Sequence, residues 1–150
     1  MIHKRLFLWF SLLGFSPAFG QFSGNALDLD GANDMVVTPT VPALFSTLAT
    51  SNFSFEAWVN PRGLVFSRIF FAQASTTNFA TVSTGGTNNI YFYVVVGGGN
   101  YSVATNATLP QNQWTHVVAR WTAATNSPQV FFNGVLQAGI GGGTSSTGTS

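Results

Sequence analysis

Apolar and polar residues alternate along much of the chain after residue 50. Over 53–60, Phe53, Phe55, Ala57 and Val59 share one parity, and Ser54, Glu56, Trp58 and Asn60 share the other. This is the two-residue period of a strand with one face toward a core. Over 114–121, Trp114, His116, Val118 and Arg120 alternate with Thr115, Val117, Ala119 and Trp121. Both parities there are largely apolar, so this strand is expected at the centre of a sheet, covered on both sides or with one face in a ligand groove. No window after residue 21 carries a helical stripe. The pattern predicts strands over 26–29, 35–38, 53–60, 69–74, 79–83, 90–96, 101–105, 115–122, 130–132 and 135–137.

Turn residues punctuate these runs at Asp30-Gly31, Asn60-Pro61, Gly85-Gly86, Gly97-Gly98-Gly99-Asn100 and Asn133-Gly134. Asn133-Gly134 predicts a two-residue hairpin, because the turn that matches strand twist needs positive φ at both central positions. Many short strands between Gly and Asn turns indicate an all-β sandwich or barrel in a single domain.

The two ends of the chain read differently. His3-Lys4-Arg5 is a basic start, residues 6–15 are apolar, Pro17 breaks the run, and Ala18 and Gly20 stand three residues and one residue before a cleavage point at Gln21. Residues 1–20 are therefore expected to be a removable secretory signal, too short in its apolar part to span a membrane. At the other end, residues 141–150 are only Gly, Ser and Thr, the composition of a flexible tail or linker. The domain proper is expected over 21–140.

Charge sharpens this picture. The chain of 150 residues has only five Lys and Arg, four Asp and Glu, and no Cys. Cleavage of the leader removes Lys4 and Arg5, which leaves Arg62, Arg68 and Arg120 against the four acids, a net charge of −1. No basic footprint for nucleic acid survives. The absence of Cys excludes disulfides, thiolate nucleophiles and Cys-ligated zinc. Three N-x-[ST] triplets begin at Asn52, Asn100 and Asn106, as expected by chance in a chain so rich in Asn, Ser and Thr.

Few positions carry candidate chemistry. Asp28, Asp30, Asn33 and Asp34 form one oxygen-rich cluster. It suits a turn whose side chains cap their own backbone, or a calcium site with Asp30, Asn33 and Asp34 as ligands; Asp28, in mid-strand, is expected to meet an Arg. Glu56 interrupts an apolar strand, so a cross-strand ion pair with Arg120 (or Arg68) is expected to compensate it. Trp58 and Trp114 are assigned to packing. Tyr91, Tyr93 and Tyr101, with Asn100, flank the 97–100 turn and are the candidate ligand contacts.

Four blocks in order resemble one family. Residues 26–37, Ala-Leu-Asp-Leu-Asp-Gly-Ala-Asn-Asp-Met-Val-Val, are similar to the opening of the LamG-like jelly-roll domains of the concanavalin A-like lectin/glucanase superfamily. Residues 53–61 are similar to that family's "FTIEAWVKP" block, 113–119 to "QWHHVA", and 130–134 to the "LYVDG" hairpin. The resemblance implies a concanavalin A-like antiparallel β-sandwich, a jelly roll, that serves as a secreted binding module for a glycan or an extracellular protein. It also implies that His116 is a hydrogen-bonded pattern residue, not a metal ligand. The alternative is a structural or adhesion domain forming the N-terminal part of a larger surface protein. The chain departs from the pattern after Ile140, where a closing strand pair similar to "FxGxIDDVRIY" is expected and absent, so the sandwich is expected to be incomplete at its C-terminus with an edge exposed.

Catalysis is not expected. Glycoside hydrolysis, the chemistry of the superfamily's glucanases and the weaker alternative, needs two carboxylates flanking one bond, about 5–10 Å apart. The glucanase E-x-D-x-x-E strand is missing here, because Trp58 and Pro61 stand where its second and third acids would follow Glu56.

Overall fold

The structure, a computed structural model, describes residues 27–29, 36–37, 51–63 and 66–144. Nine strands are described: β1 (Phe53–Val59), β2 (Ser67–Ser75), β3 (Asn78–Thr84), β4 (Asn89–Val96), β5 (Gly99–Thr108), β6 (Thr115–Thr122), β7 (Ser127–Phe132), β8 (Val135–Leu136) and β9 (Gly139–Thr144). One 3-10 turn, Ala123–Thr125, lies between β6 and β7 and ends at Asn126 in the left-handed region. All strand pairs are antiparallel and build two sheets, ordered β1-β6-β7-β8 and β2-β3-β4-β5-β9. The expected β-sandwich is what forms.

The alternation read in the sequence explains how the sheets face each other. Ile90, Phe92 and Val94 of β4, Val117, Ala119 and Trp121 of β6, and Ala80 and Val82 of β3 are fully buried in one cluster. From β1, Phe53 meets Phe92 edge-on at 6.2 Å and Phe55 stacks on Phe70 at 4.3 Å, clasping the sheets together. A bulge between Arg68 and Phe70 turns both Ile69 and Phe70 toward this core. As expected, β6 is central, hydrogen-bonded to β1 and β7.

Two turns follow the residue chemistry that predicts them. Asn133 and Gly134 have φ of 49° and 82°, and Phe132 pairs with Val135 across them. Gly97 and Gly98 have φ of 57° and 82° in the same kind of two-residue turn, closed by the Val96–Gly99 pair.

Two expectations change. Residues 27–29 and 36–37, read as strand, have irregular backbone, with Leu27, Leu29, Val36 and Val37 half or more exposed. β propensity is realised only against a partner strand, and no described strand pairs with them. Asp28 accordingly lies exposed outside any strand. At the other end, residues 141–144, read as tail, continue β9 along β5, with Ser102 opposite Gly142 and Val103 opposite Gly141. A ladder needs only backbone donors and acceptors, which glycine supplies. Close approach even requires glycine at one point, because a Cβ on Gly139 would lie 2.5 Å from the Ala104 carbonyl oxygen. Residues 145–150 and the proposed leader, 1–20, lie outside the described residues.

Candidate functional site

The outer face of the five-stranded sheet carries a row of aromatic rings. Cross-strand partners share a face, and the register runs Phe71–Thr81–Tyr93–Ser102, with Gln73–Phe79–Val95–Asn100 on one side and Arg68–Ser83–Tyr91–Ala104 on the other. The ring centroids of Phe71 and Phe79 are 6.0 Å apart, and those of Phe79 and Tyr93 are 5.7 Å apart. Phe71 is 44% exposed and Tyr91 41%, so the rings stand in solvent and do not form a second core. The Arg68 guanidinium lies 4.9 Å from the Phe71 ring centre.

The neighbouring turns hold this surface in shape. Gly97 N–H donates to Asn78 Oδ1 at 3.1 Å, and Gly98 N–H to the Thr77 carbonyl at 3.3 Å, which ties the β4–β5 turn to the β2–β3 turn. Just beyond, Tyr93 Oη donates to Asn100 Oδ1 at 2.7 Å. With its oxygen engaged, the Asn100 amide has Nδ2 left as a donor beside the rings. The resulting surface interleaves flat apolar rings with hydroxyl and amide groups, and Arg68 is its one charge among the described residues.

Of the four ligand contacts expected from sequence, Tyr91, Tyr93 and Asn100 come together here. Tyr101 does not. One residue along a strand reverses the face, and Tyr101 packs inward on Trp121, ring centres 5.4 Å apart, over Gly99, where a Cβ would meet its ring. It lines a separate cleft of about 390 Å³ with Gln129, Leu136 and Gly141. Phe71 and Phe79 were not singled out in the sequence, although their parity within β2 and β3 carried the signal. Asp30, Asn33 and Asp34 lie outside the described residues, and no group of three metal-ligating side chains occurs among the residues that are described.

The outer face of the four-stranded sheet corrects three expectations. Glu56 does not pair with Arg120. It sits opposite Val118, with Arg120 one step away opposite Ser54, and its carboxylate, 71% exposed, meets His116 Nε2 at 3.5 Å. Arg120 instead donates Nε–H and Nη2–H to Gln129 Oε1, directly opposite on β7, and lies over the Phe131 ring. The cost of burying Glu56 never arises, because its parity places it outward. The same parity overrides the packing role expected for Trp58, which is 40% exposed and lies 5.2 Å from the His116 ring; Trp114, before β6, is 41% exposed. The backbone N–H of His116 donates to Asn133 Oδ1 at 3.0 Å.

A sequence profile described as the concanavalin A-like lectin/glucanases superfamily, laminin G 3, matches residues 30–150. No curated protein and no solved structure matches the chain. Domains of this kind are generally extracellular, non-catalytic binding modules for glycans or proteins. No helix among the described residues is long and apolar enough to cross a membrane. A profile match over most of the chain, and two packed antiparallel sheets built from the motif strands, place it in a family: the chain belongs to the laminin G-like domains of the concanavalin A-like lectin/glucanases superfamily.

Proposed function

We propose that this domain is a secreted module that binds a neutral glycan on the outer face of its five-stranded sheet. The observation that carries the reading is the row Phe71, Phe79 and Tyr93, flanked by Tyr91 and by the Asn100 amide. A pyranose ring has apolar C–H faces and a polar rim, so flat exposed rings with hydroxyl and amide groups at their edges complement it on both counts. A protein partner would be expected to call for a more sharply apolar centre, and an acidic polysaccharide for more cations than Arg68. The sequence of residues 1–20 supports export to where such polymers occur.

Titration with soluble neutral polysaccharides, followed by calorimetry and by retardation in affinity electrophoresis, tests this reading. Phe71→Ala and Tyr91→Ala are each expected to weaken binding by about 5–30-fold, or roughly 1–2 kcal/mol, without a change in melting temperature. Tyr101→Phe, on the inward face, is expected to leave affinity unaltered. If no polysaccharide is retained by the unsubstituted chain, the glycan reading fails.

A calcium ion at Asp30, Asn33 and Asp34 is part of the proposal on the strength of the sequence. Saturating calcium is then expected to raise the melting midpoint by several degrees relative to chelator, since a ligand bound only by the folded state stabilises it. Identical midpoints would remove the ion from the reading.

A further inference from the structure

The opposite face of the sandwich carries a further feature. On the outer surface of the four-stranded sheet, Trp58, Val118, Phe131 and Leu136 form an exposed or half-exposed apolar band. One anion, Glu56, and one cation, Arg120, stand diagonally across the β1–β6 pair on either side of Val118. Among the described residues neither meets a partner of fixed opposite charge. The Arg120 guanidinium is bonded to a neutral amide and covers a ring. The Glu56 carboxylate reaches the His116 ring at 3.5 Å.

We infer that this face associates with a second copy of itself, so that Glu56 of each copy meets Arg120 of the other. A two-fold axis lying in the interface and passing between the two residues exchanges their positions, which is the self-complementarity an isologous contact demands. Val118 then lies close to the axis and packs against its counterpart, with the other apolar side chains around it. A different partner would need only one charge of suitable sign; two opposite charges flanking the apolar Val118 are complementary to the same pair on a second copy. The near-zero net charge of the mature chain puts no long-range repulsion in the way. Strands of seven, eight and six residues make a face of roughly 20 Å by 15 Å in plan, the small end of protein contacts, so the dimer is weak and concentration-dependent.

Sedimentation equilibrium of the full chain over a range reaching several hundred micromolar tests the inference, together with charge reversals. Glu56→Arg and Arg120→Glu are each expected to raise the dimer dissociation constant more than about tenfold, since each places like charges in contact twice. Mixed in equal amounts, the two variants restore association as a heterodimer. The introduced arginine of one copy then faces the introduced glutamate of the other, and the Arg120 retained by the first faces the Glu56 retained by the second, so both contacts are again of opposite sign. A misfolded variant could not be rescued by mixing, so rescue separates interface loss from unfolding. A chain that stays monomeric throughout, or one whose dimer is indifferent to both reversals, overturns the assignment.

Discussion

Phe92→Ala is expected to destabilise the domain by about 3–5 kcal/mol, measured as a shift of the urea midpoint at constant slope. Phe92 is fully buried, sits between Val82 and Val103 in the register of the five-stranded sheet, and forms a T-shaped pair with Phe53 of the opposite sheet. Its ring is therefore an atom-level bridge across the sandwich, and alanine leaves a hole that neither sheet can close without tilting the other. Against a total stability of roughly 5–15 kcal/mol for a domain of this size, such a loss takes a large share of the margin. Phe92→Leu, which keeps much of the volume, is expected to cost clearly less. Equal losses for the two variants would show that Phe92 is not the point at which the sheets are coupled.

Trp121 separates volume from polarity. It is fully buried, packs against Tyr101, and its Nε1–H has no hydrogen-bond partner among the described residues. Trp121→Ala is expected to cost about 3–5 kcal/mol through the cavity alone. Trp121→Phe also loses volume, but it removes a buried donor whose desolvation costs about 1–3 kcal/mol, so the net loss is expected to stay below about 1.5 kcal/mol. The comparison is made by chemical denaturation of both variants. A phenylalanine variant as unstable as the alanine one would show that the indole N–H is satisfied, as by a buried water.

What the sequence disclosed, and what it did not, follows from where alternation carries information. The strand at 115–122 was legible to the residue, because apolar side chains on both parities mark a strand between two neighbours. The strand expected over 53–60 runs over 53–59, with the inward face as read. Errors arose where size or charge was allowed to outweigh parity. Trp58 and Glu56 share the outward parity of Ser54, and both are outward, one a large apolar ring and the other a carboxylate with no burial to offset. Tyr101 was misplaced for a different reason. Taking 97–100 as one turn hides that Gly97-Gly98 alone closes the hairpin; once Val96 faces Gly99, Val94 must face Tyr101, and Val94 is core. The ring row was hidden because it is assembled from β2, β3 and β4, and no single segment contains it. Strand β9 was invisible because glycine has neither side chain nor alternation, so its pairing rests on the backbone and on the space left beside Ala104.

That strand has a consequence for how the molecule opens. Opposite Tyr101, Val103 and Thr105, β9 presents Gly143, Gly141 and Gly139, so its attachment gains little from burial. Each ladder bond contributes about 0.5–1.5 kcal/mol net, while each released residue regains about 1–2 kcal/mol of backbone entropy, with glycine at the upper end. The two nearly cancel. Detachment of β9 is thus a low rung of the domain's unfolding ladder, and it opens the inner edge of β5 to solvent before the clasp around Phe92 gives way.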